Sequence, residues 1–235
     1  MSDRDAETIE TDIHDTLAYR AKRCVGVARQ RLSAGEYFLG GGAIATREIH
    51  DIDVYPAGDA PFVVPNDAVV LAASKNATTI ANDPPIQFCN YKFQTLRELI
   101  RSFDFAHIQA GAHIKAGAVV DVAWTDAFIA ANACRTSKFT ASAYPLSSAI
   151  RLLKYHKRGD FTRHSAIHAM LEIVLAVVKR GFSGYEDFKD QLDAVDLGLT
   201  PEAMCEVSKA SLMELFELLR RDAPGARKDG NDDRP

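Results

Sequence analysis

The sequence predicts an α+β protein in which a small mixed β-sheet flanked by helices is followed by an all-helical C-terminal part. Three observations carry this expectation. Apolar residues recur at helical spacing from Thr8 to Arg31. Short apolar, β-branched runs divided by turn residues fill the stretch from Tyr37 to Asn90. From about Thr125 onward one helical pattern succeeds another with no strand pattern between them. The 235 residues are 47% hydrophobic and 26% charged, enough for a core and one or two packed units.

Taken in order, Ile9, Ile13, Leu17, Ala21, Val25, Ala28 and Leu32 define one stripe of a long amphipathic helix. Residues 1 to about 6 offer nothing apolar to bury and are expected to be disordered. Tyr37–Leu39 reads as a short strand, Ala43–Glu48 as one or two helical turns, and Ile52–Tyr55 as a second strand. Ala68–Ala73, Thr78–Ala81 and Ile86–Asn90 read as three more, and Gln94–Arg101 as a helix. In Ser102–Ile114 the alternation of Phe103, Phe105 and His107 with Asp104, Ala106 and Ile108 predicts a strand. Helices are then expected over Trp124–Ala131, Tyr144–Lys157, Ser165–Lys179, Tyr185–Val195 and Pro201–Arg220. The last has Thr200 as N-cap and Pro201 at its first position. There is no internal repeat. The resulting division is an N-terminal helix at 1–35 packing on the sheet domain, the sheet domain at 36–123, a helical part at 124–221 and a disordered tail at 222–235.

A net charge of −4 provides no global basic footprint, although a local basic patch stays open. Cys24, Cys89, Cys134 and Cys205 are scattered without C-x-x-C spacing, which argues against a zinc ribbon or disulfide framework and suits a reducing cytosol. Cys89, in an apolar strand, is expected to be inert. The opening MSDRDAETIETD is acidic and polar, unlike a secretory signal. The longest apolar stretch, Ala166–Val178, is broken by His168 and Glu172 and is too short to span a bilayer. It reads as a buried helix of a cytoplasmic protein with no membrane partner.

The chemistry concentrates in YFLGGGAIATREIHDIDVYP, Tyr37 to Pro56. Gly40, Gly41 and Gly42 alone suit a tight strand-to-helix turn, and they lack the spacings of dinucleotide and Walker-type loops. Asp51 and Asp53, two apart on a strand, share one face while Ile52 and Val54 point to the core. An acidic pair of this kind is either a solvated edge or a seat for a hard divalent cation. Two repelling carboxylates favour a counter-ion, and Mg²⁺ takes one or two carboxylates and completes its shell with phosphates and water. Free backbone N–H groups at a helix start attract anions. The two features complement each other: amides for a triphosphate, carboxylates for the metal bridging it.

Leu39-Gly40-Gly41, a nine-residue spacer, then Asp51-Ile52-Asp53-Val54 resembles the signature of the DNA-polymerase-beta-like nucleotidyltransferase superfamily. More narrowly it is similar to the head domain of the poly(A) polymerase and tRNA CCA-adding group. SFDFAHIQAG, Ser102 to Gly111, resembles that group's R-R-D-F-T-I-N-A strand. FTASAYPLSSAIRLLKYHKRGDF, Phe139 to Phe161, resembles the helix that follows its catalytic sheet. Ala143-Tyr144 and Ser147 replace the residues with which the tRNA enzymes read the base, and Ser102-Phe103 replaces the paired arginine. The departures speak against CCA synthesis.

The resemblance implies a Mg²⁺- or Mn²⁺-dependent transfer of a nucleoside monophosphate from an NTP to a hydroxyl of RNA, protein or a small molecule, in a minimal, phage-type or defence-related member. It makes Asp51 and Asp53 the metal-binding catalytic pair. Asp104 is a third metal ligand or a proton acceptor, or else a strand-end cap. Gly40, Gly41, Gly42 and Arg47 would meet the triphosphate. Arg151, Lys154 and Arg158 share one helix face suited to triphosphate or an RNA backbone, or form a solvated charge run. His164 and His168, at i and i+4, have chelating spacing without a third ligand, and a structural role with His168 facing the helical core is favoured. His50 is a hydrogen-bond donor that steadies Asp51 or a plain loop residue; Trp124 and the other aromatics read as core. The alternative is a catalytically degenerate nucleotide- or RNA-binding module or toxin–antitoxin component of the same fold.

Overall fold

In the computed structural model, which describes residues 3–32, 35–58 and 64–193, the sheet has seven strands. Helix α1 (Asp3–Ala28) leads into β1 (Glu36–Gly40), the short α2 (Gly42–Ala45) and β2 (Ile52–Pro56). The meander β3 (Val70–Ala73), β4 (Ala77–Ile80) and β5 (Ile86–Cys89) is followed by α3 (Leu96–Ser102), β6 (Ala110–Lys115) and β7 (Ala118–Trp124). Helices α4 (Asp126–Ala133), α5 (Pro145–Arg158), α6 (Arg163–Arg180) and α7 (Tyr185–Asp193) complete the described chain. The strand order is β3-β4-β5-β2-β1-β6-β7. Only β2 and β5 pair in parallel, so the sheet is mixed, as the sequence predicts.

Alternation along β1 sorts the two faces. Phe38 joins Tyr55, Cys89 and Ala123 beneath Leu96, Leu99 and Ile100 of α3. The opposite face carries α1 and α2, where Leu17, Ala21, Cys24 and Ala28 are buried at spacings of four, three and four. Small residues at three of those positions let α1 approach closely. Helix α1 begins at Asp3, ahead of the expected start at Thr8.

The strand expected over Ser102–Ile114 exists only from Ala110. Its first half closes α3 at Ser102, bends through Phe103 and Asp104 and forms a 3-10 turn at Ala106–Ile108. Local alternation lost to pairing with the segment at 138–140. The Ala106 N–H donates to the Lys138 carbonyl at 2.9 Å, the Thr140 N–H to the Asp104 carbonyl at 2.9 Å, and Phe105 bridges Phe139. Buried Gln109 locks the bend, donating from Nε2 to the Phe103 carbonyl at 3.0 Å and accepting at Oε1 from Thr125 Oγ1 at 2.9 Å.

Strand β7, left unassigned by sequence reading, returns from β6 through a two-residue turn. Lys115 pairs with Ala118, and Ala116 and Gly117 have φ of 49° and 76°. A turn with both central residues left-handed matches the twist of a hairpin but penalises alanine. Ala116→Asn is therefore expected to raise stability by about 0.5–1 kcal/mol, read as a higher denaturation midpoint at unchanged slope.

By internal contacts the chain divides into one unit of residues 1–142 with 160–162 and another of 143–159 with 163–235. Helix α4, which opens the helical part in the sequence reading, belongs to the sheet-containing unit and packs on the 3-10 turn. In the second unit α5 packs on α6 and α7, with Phe188 buried among Leu146, Ile150, Phe182 and Tyr185. Arg180 grips Asp187 with two hydrogen bonds of 2.9 and 2.8 Å. The reading of Ala166–Val178 as a buried helix is corrected: α6 buries only Ser165, Ala169 and Ile173, while Ile167 and Leu171 are 53% and 58% exposed. His168 is likewise exposed, not core-facing. The expected helix at Pro201–Arg220, the tail at 222–235 and Cys205 lie outside the described residues. Among the described residues no helix is long and apolar enough to cross a membrane.

Candidate active site

The site begins with strand register. β1 and β2 run antiparallel with Gly40 opposite Asp53 and Phe38 opposite Tyr55, so Asp53 stands on the α3 face of the sheet. Exposure alternates along β2: Asp51 and Asp53 are half-buried, whereas Ile52 and Val54 are fully buried. The two carboxylates therefore share one side of the strand, anchored by apolar neighbours on the other. On the far side of β2, Gln87 of β5 pairs with Asp53 and donates from its amide to Thr79 Oγ1 at 3.2 Å.

The three glycines have three different surroundings. A Cβ on Gly40 would lie 2.7 Å from Phe103 Cζ and 3.2 Å from Leu99 Cδ2. Its missing side chain makes room for α3 and Phe103, so Gly40 is a packing position. Gly41 has φ 70° and ψ −145°, a conformation open in practice only to glycine. A Cβ there would meet Asp53 Oδ2 at 3.4 Å, so the carboxylate lies against the bend itself. At Gly42 a Cβ would meet nothing within 4 Å. Gly41 caps α2, its carbonyl accepting from the N–H groups of Ile44 and Ala45 at 3.2 and 3.0 Å.

The first N–H groups of any helix have no intrahelical partner and point outward at its positive end. The far end of α2 is tied down by Arg20 of α1, whose Nη1 donates to the Ala45 carbonyl at 2.6 Å and the Ile44 carbonyl at 3.3 Å. Nothing local in the sequence singles out Arg20, because its partners lie on another element. Burial and the neighbouring Arg23 lower the Arg20 pKa. Thr46 Oγ1 donates to the Gly42 carbonyl at 2.8 Å and fixes the exit from the turn.

Arg47 follows on that exit and is exposed. His50 pairs with Glu48 at 3.7 Å. Asp104 is only 5% exposed and lies in the bend before the 3-10 turn. Among the described residues no three His, Cys, Asp or Glu side chains group closely enough to hold a metal. The charge of Asp104 is felt by His107, buried against the rings of Phe105 and Phe161. Arg151, Lys154 and Arg158 lie half-buried on α5 of the second unit, whose end is capped by Gly159 at φ 78°.

Burial lowers the His107 pKa to about 4, with Asp104 pulling the other way. The unfolded chain takes up this proton near pH 6.5 and the folded chain near pH 4, so stability is unaffected above that window and falls as pH drops through it. The expected loss is on the order of 3 kcal/mol. Urea denaturation of wild type and His107→Phe between pH 7 and 4 measures it, the variant lacking this part of the decline. Of the thiols, Cys24 is pushed up to about 12 by burial and Cys89 is buried, whereas Cys134 is exposed.

No family model matches the chain, and no curated protein matches it in sequence. Among solved structures it is similar to a tRNA nucleotidyltransferase complexed with a primer tRNA and an incoming ATP analog, at 12% identity and a TM-score of 0.43 over 84% of this chain and 60% of that one. It is similar to the apo form of a tRNA-processing enzyme at 13% identity and a TM-score of 0.44, over 85% and 55%. A Thermotoga maritima CCA-adding enzyme in complex with tRNA matches at 11% identity and a TM-score of 0.43, over 86% and 50%. The likeness is distant, and the chain spans between 50% and 60% of the length of these three proteins.

Proposed function

We propose that the chain is a metal-dependent nucleotidyltransferase that moves a nucleoside monophosphate from an NTP to a hydroxyl on RNA, a protein or a small molecule. One observation carries the reading: the Asp53 carboxylate lies against the Gly41 bend, with Asp51 on the same side of the strand. The donor set fits a hard cation. Two half-buried carboxylates satisfy what Mg²⁺ or Mn²⁺ asks of a protein when substrate phosphates and water supply the rest. When bound, such an ion neutralises charge on the triphosphate and aligns the attacking and leaving oxygens.

The chain's own groups then divide the remaining work. Asp51 and Asp53 would hold the cation, and the main-chain N–H groups after Gly41 receive phosphate oxygens. Arg47, exposed on the exit from that turn, is available to the triphosphate, and Arg151, Lys154 and Arg158 of the second unit are assigned to triphosphate or RNA backbone. Asp104, buried beside His107, is assigned to holding its turn. In the reaction the acceptor oxygen bonds to the α-phosphorus while the bond to the bridging oxygen breaks. Pyrophosphate leaves and the hydroxyl proton passes to solvent.

Incubating the full chain with each labelled NTP, Mg²⁺ or Mn²⁺, and total RNA or the protein alone tests this. Label transfer abolished by chelation is expected. The replacement of the base-reading residues by Ala143, Tyr144 and a fully buried Ser147 favours a second reading, a binding module without turnover. NTP binding without transfer selects that reading, and neither binding nor transfer sinks both. Gly41→Ala forces a methyl toward Asp53 from a backbone alanine resists, at about 1–2 kcal/mol. It should reduce transfer about 100-fold, whereas Gly42→Ala should fold normally.

A further inference from the structure

Helix α6 carries two histidines one turn apart on its exposed face. His164 and His168 bring their Nε2 atoms to 3.2 Å, with ring centroids 4.6 Å apart and planes inclined at 74°. Two imidazole nitrogens bound to one tetrahedral ion at about 2.0–2.1 Å stand about 3.3–3.4 Å apart. Cis positions on a square-planar or octahedral ion would bring them to about 2.8–3.0 Å. The observed separation is nearest the tetrahedral value. Both rings bring the same nitrogen, Nε2, into the gap between them, at a separation close to the one a shared ion requires.

We propose that His164 and His168 form a surface site for a borderline divalent cation of the zinc class. This site is separate from Asp51 and Asp53, whose oxygens suit Mg²⁺ or Mn²⁺, ions for which imidazole is a poor ligand. Among the described residues no third His, Cys, Asp or Glu completes a cluster here. The pair therefore supplies two ligands, and two positions remain for water or a donor from a second molecule. His164 and His168 are both exposed, as are Leu171 and Leu175 farther along α6. In the absence of metal the two rings are held by a shared hydrogen bond, one nitrogen donating to the other. Binding requires the donor ring to change tautomer, its proton leaving Nε2 for solvent while Nδ1 takes one up, so that both Nε2 lone pairs face the ion.

The test uses the full chain and zinc chloride, followed by calorimetry and by the imidazole proton resonances of the seven histidines. Wild type should bind one zinc ion at this pair, with the His164 and His168 resonances shifting under Zn²⁺ but not under Mg²⁺. His164→Gln or His168→Gln, both exposed and harmless to packing, should weaken this binding about tenfold or more. Asp53→Asn should leave it unchanged, which separates this site from the proposed active site. A cobalt titration should develop the visible absorption of a tetrahedral ion in wild type alone. Zinc binding that survives both glutamine variants, or no zinc-specific shift at millimolar metal, would mean that the pair is a hydrogen bond and nothing more.

Discussion

Asp53→Asn is expected to reduce the proposed nucleotidyl transfer about 1000-fold or more while the protein stays folded. Asparagine preserves the volume beside the Gly41 bend, where an added Cβ would lie 3.4 Å from Asp53 Oδ2, and the backbone pairing of Asp53 with Gly40 and Gln87. Ile52 and Val54 stay buried on the core side, so the strand keeps its anchors. What changes is one negative charge at the position proposed to hold the cation. Several kcal/mol of transition-state stabilisation depend on such an ion, and each 1.36 kcal/mol is tenfold in rate, so a loss near 4 kcal/mol gives about 1000-fold. Relieving repulsion with Asp51 adds little, and the melting midpoint is expected to stay within about 4 °C of wild type. Asp51→Asn should act in the same direction. Initial rates with saturating NTP and thermal melts of the same samples separate the two effects. Transfer within threefold of wild type in a folded Asp53→Asn protein would remove the pair from the chemistry.

Much of this arrangement is written in spacing. Apolar runs between turns specify the strands from β1 to β5, and the helices α4 to α7 are legible from period alone. Tyr37 to Pro56 also reveals that a bend and a carboxylate pair are near neighbours, because a strand, a short turn and a returning strand leave them nowhere else to go. What escapes a linear reading depends on partners distant in sequence. The alternation of Phe103, Phe105 and His107 yields to backbone pairing with residues 138–140, which no local pattern announces. Gly40 looks like part of a phosphate loop, yet its open side is filled by Phe103 and Leu99. Hydrophobicity placed α6 in the core, but a helix with a narrow buried line of Ser165, Ala169 and Ile173 leaves its leucines outside. The β6–β7 hairpin could have been read: Ala116-Gly117 between β-branched runs is a weak turn signal, weakened by an alanine where asparagine is usual.

The largest effect on stability is expected at a glycine outside the motif. Gly111 of β6 lies opposite Gly40 on one side and Ala123 on the other, beneath α3. A methyl there would approach the Leu39 carbonyl oxygen at 2.8 Å, Leu96 Cδ1 at 3.0 Å and Ile100 Cγ2 at 3.1 Å. The leucine and isoleucine tips can give by a few tenths of an ångström. The Leu39 oxygen cannot, because β1 is held between β2 and β6. Gly111→Ala must therefore push α3 outward or spread the two strands, at a cost of about 3 kcal/mol. That corresponds to a fall in melting temperature of roughly 6–12 °C for a chain of this size. Because Leu39 precedes the Gly40-Gly41 bend, the displaced strand should also move that bend and lower transfer at temperatures where the protein is still folded. Gly40→Ala is expected to cost less, since the atom it meets at 2.7 Å is the end of the Phe103 ring. Gly26→Ala is the opposite control: nothing lies within 4 Å of its Cβ position in the last turn of α1, and helix propensity alone should raise stability by about 0.5 kcal/mol. Equal melting temperatures for Gly111→Ala and Gly26→Ala would mean that α3 does not press on the sheet as closely as these distances require.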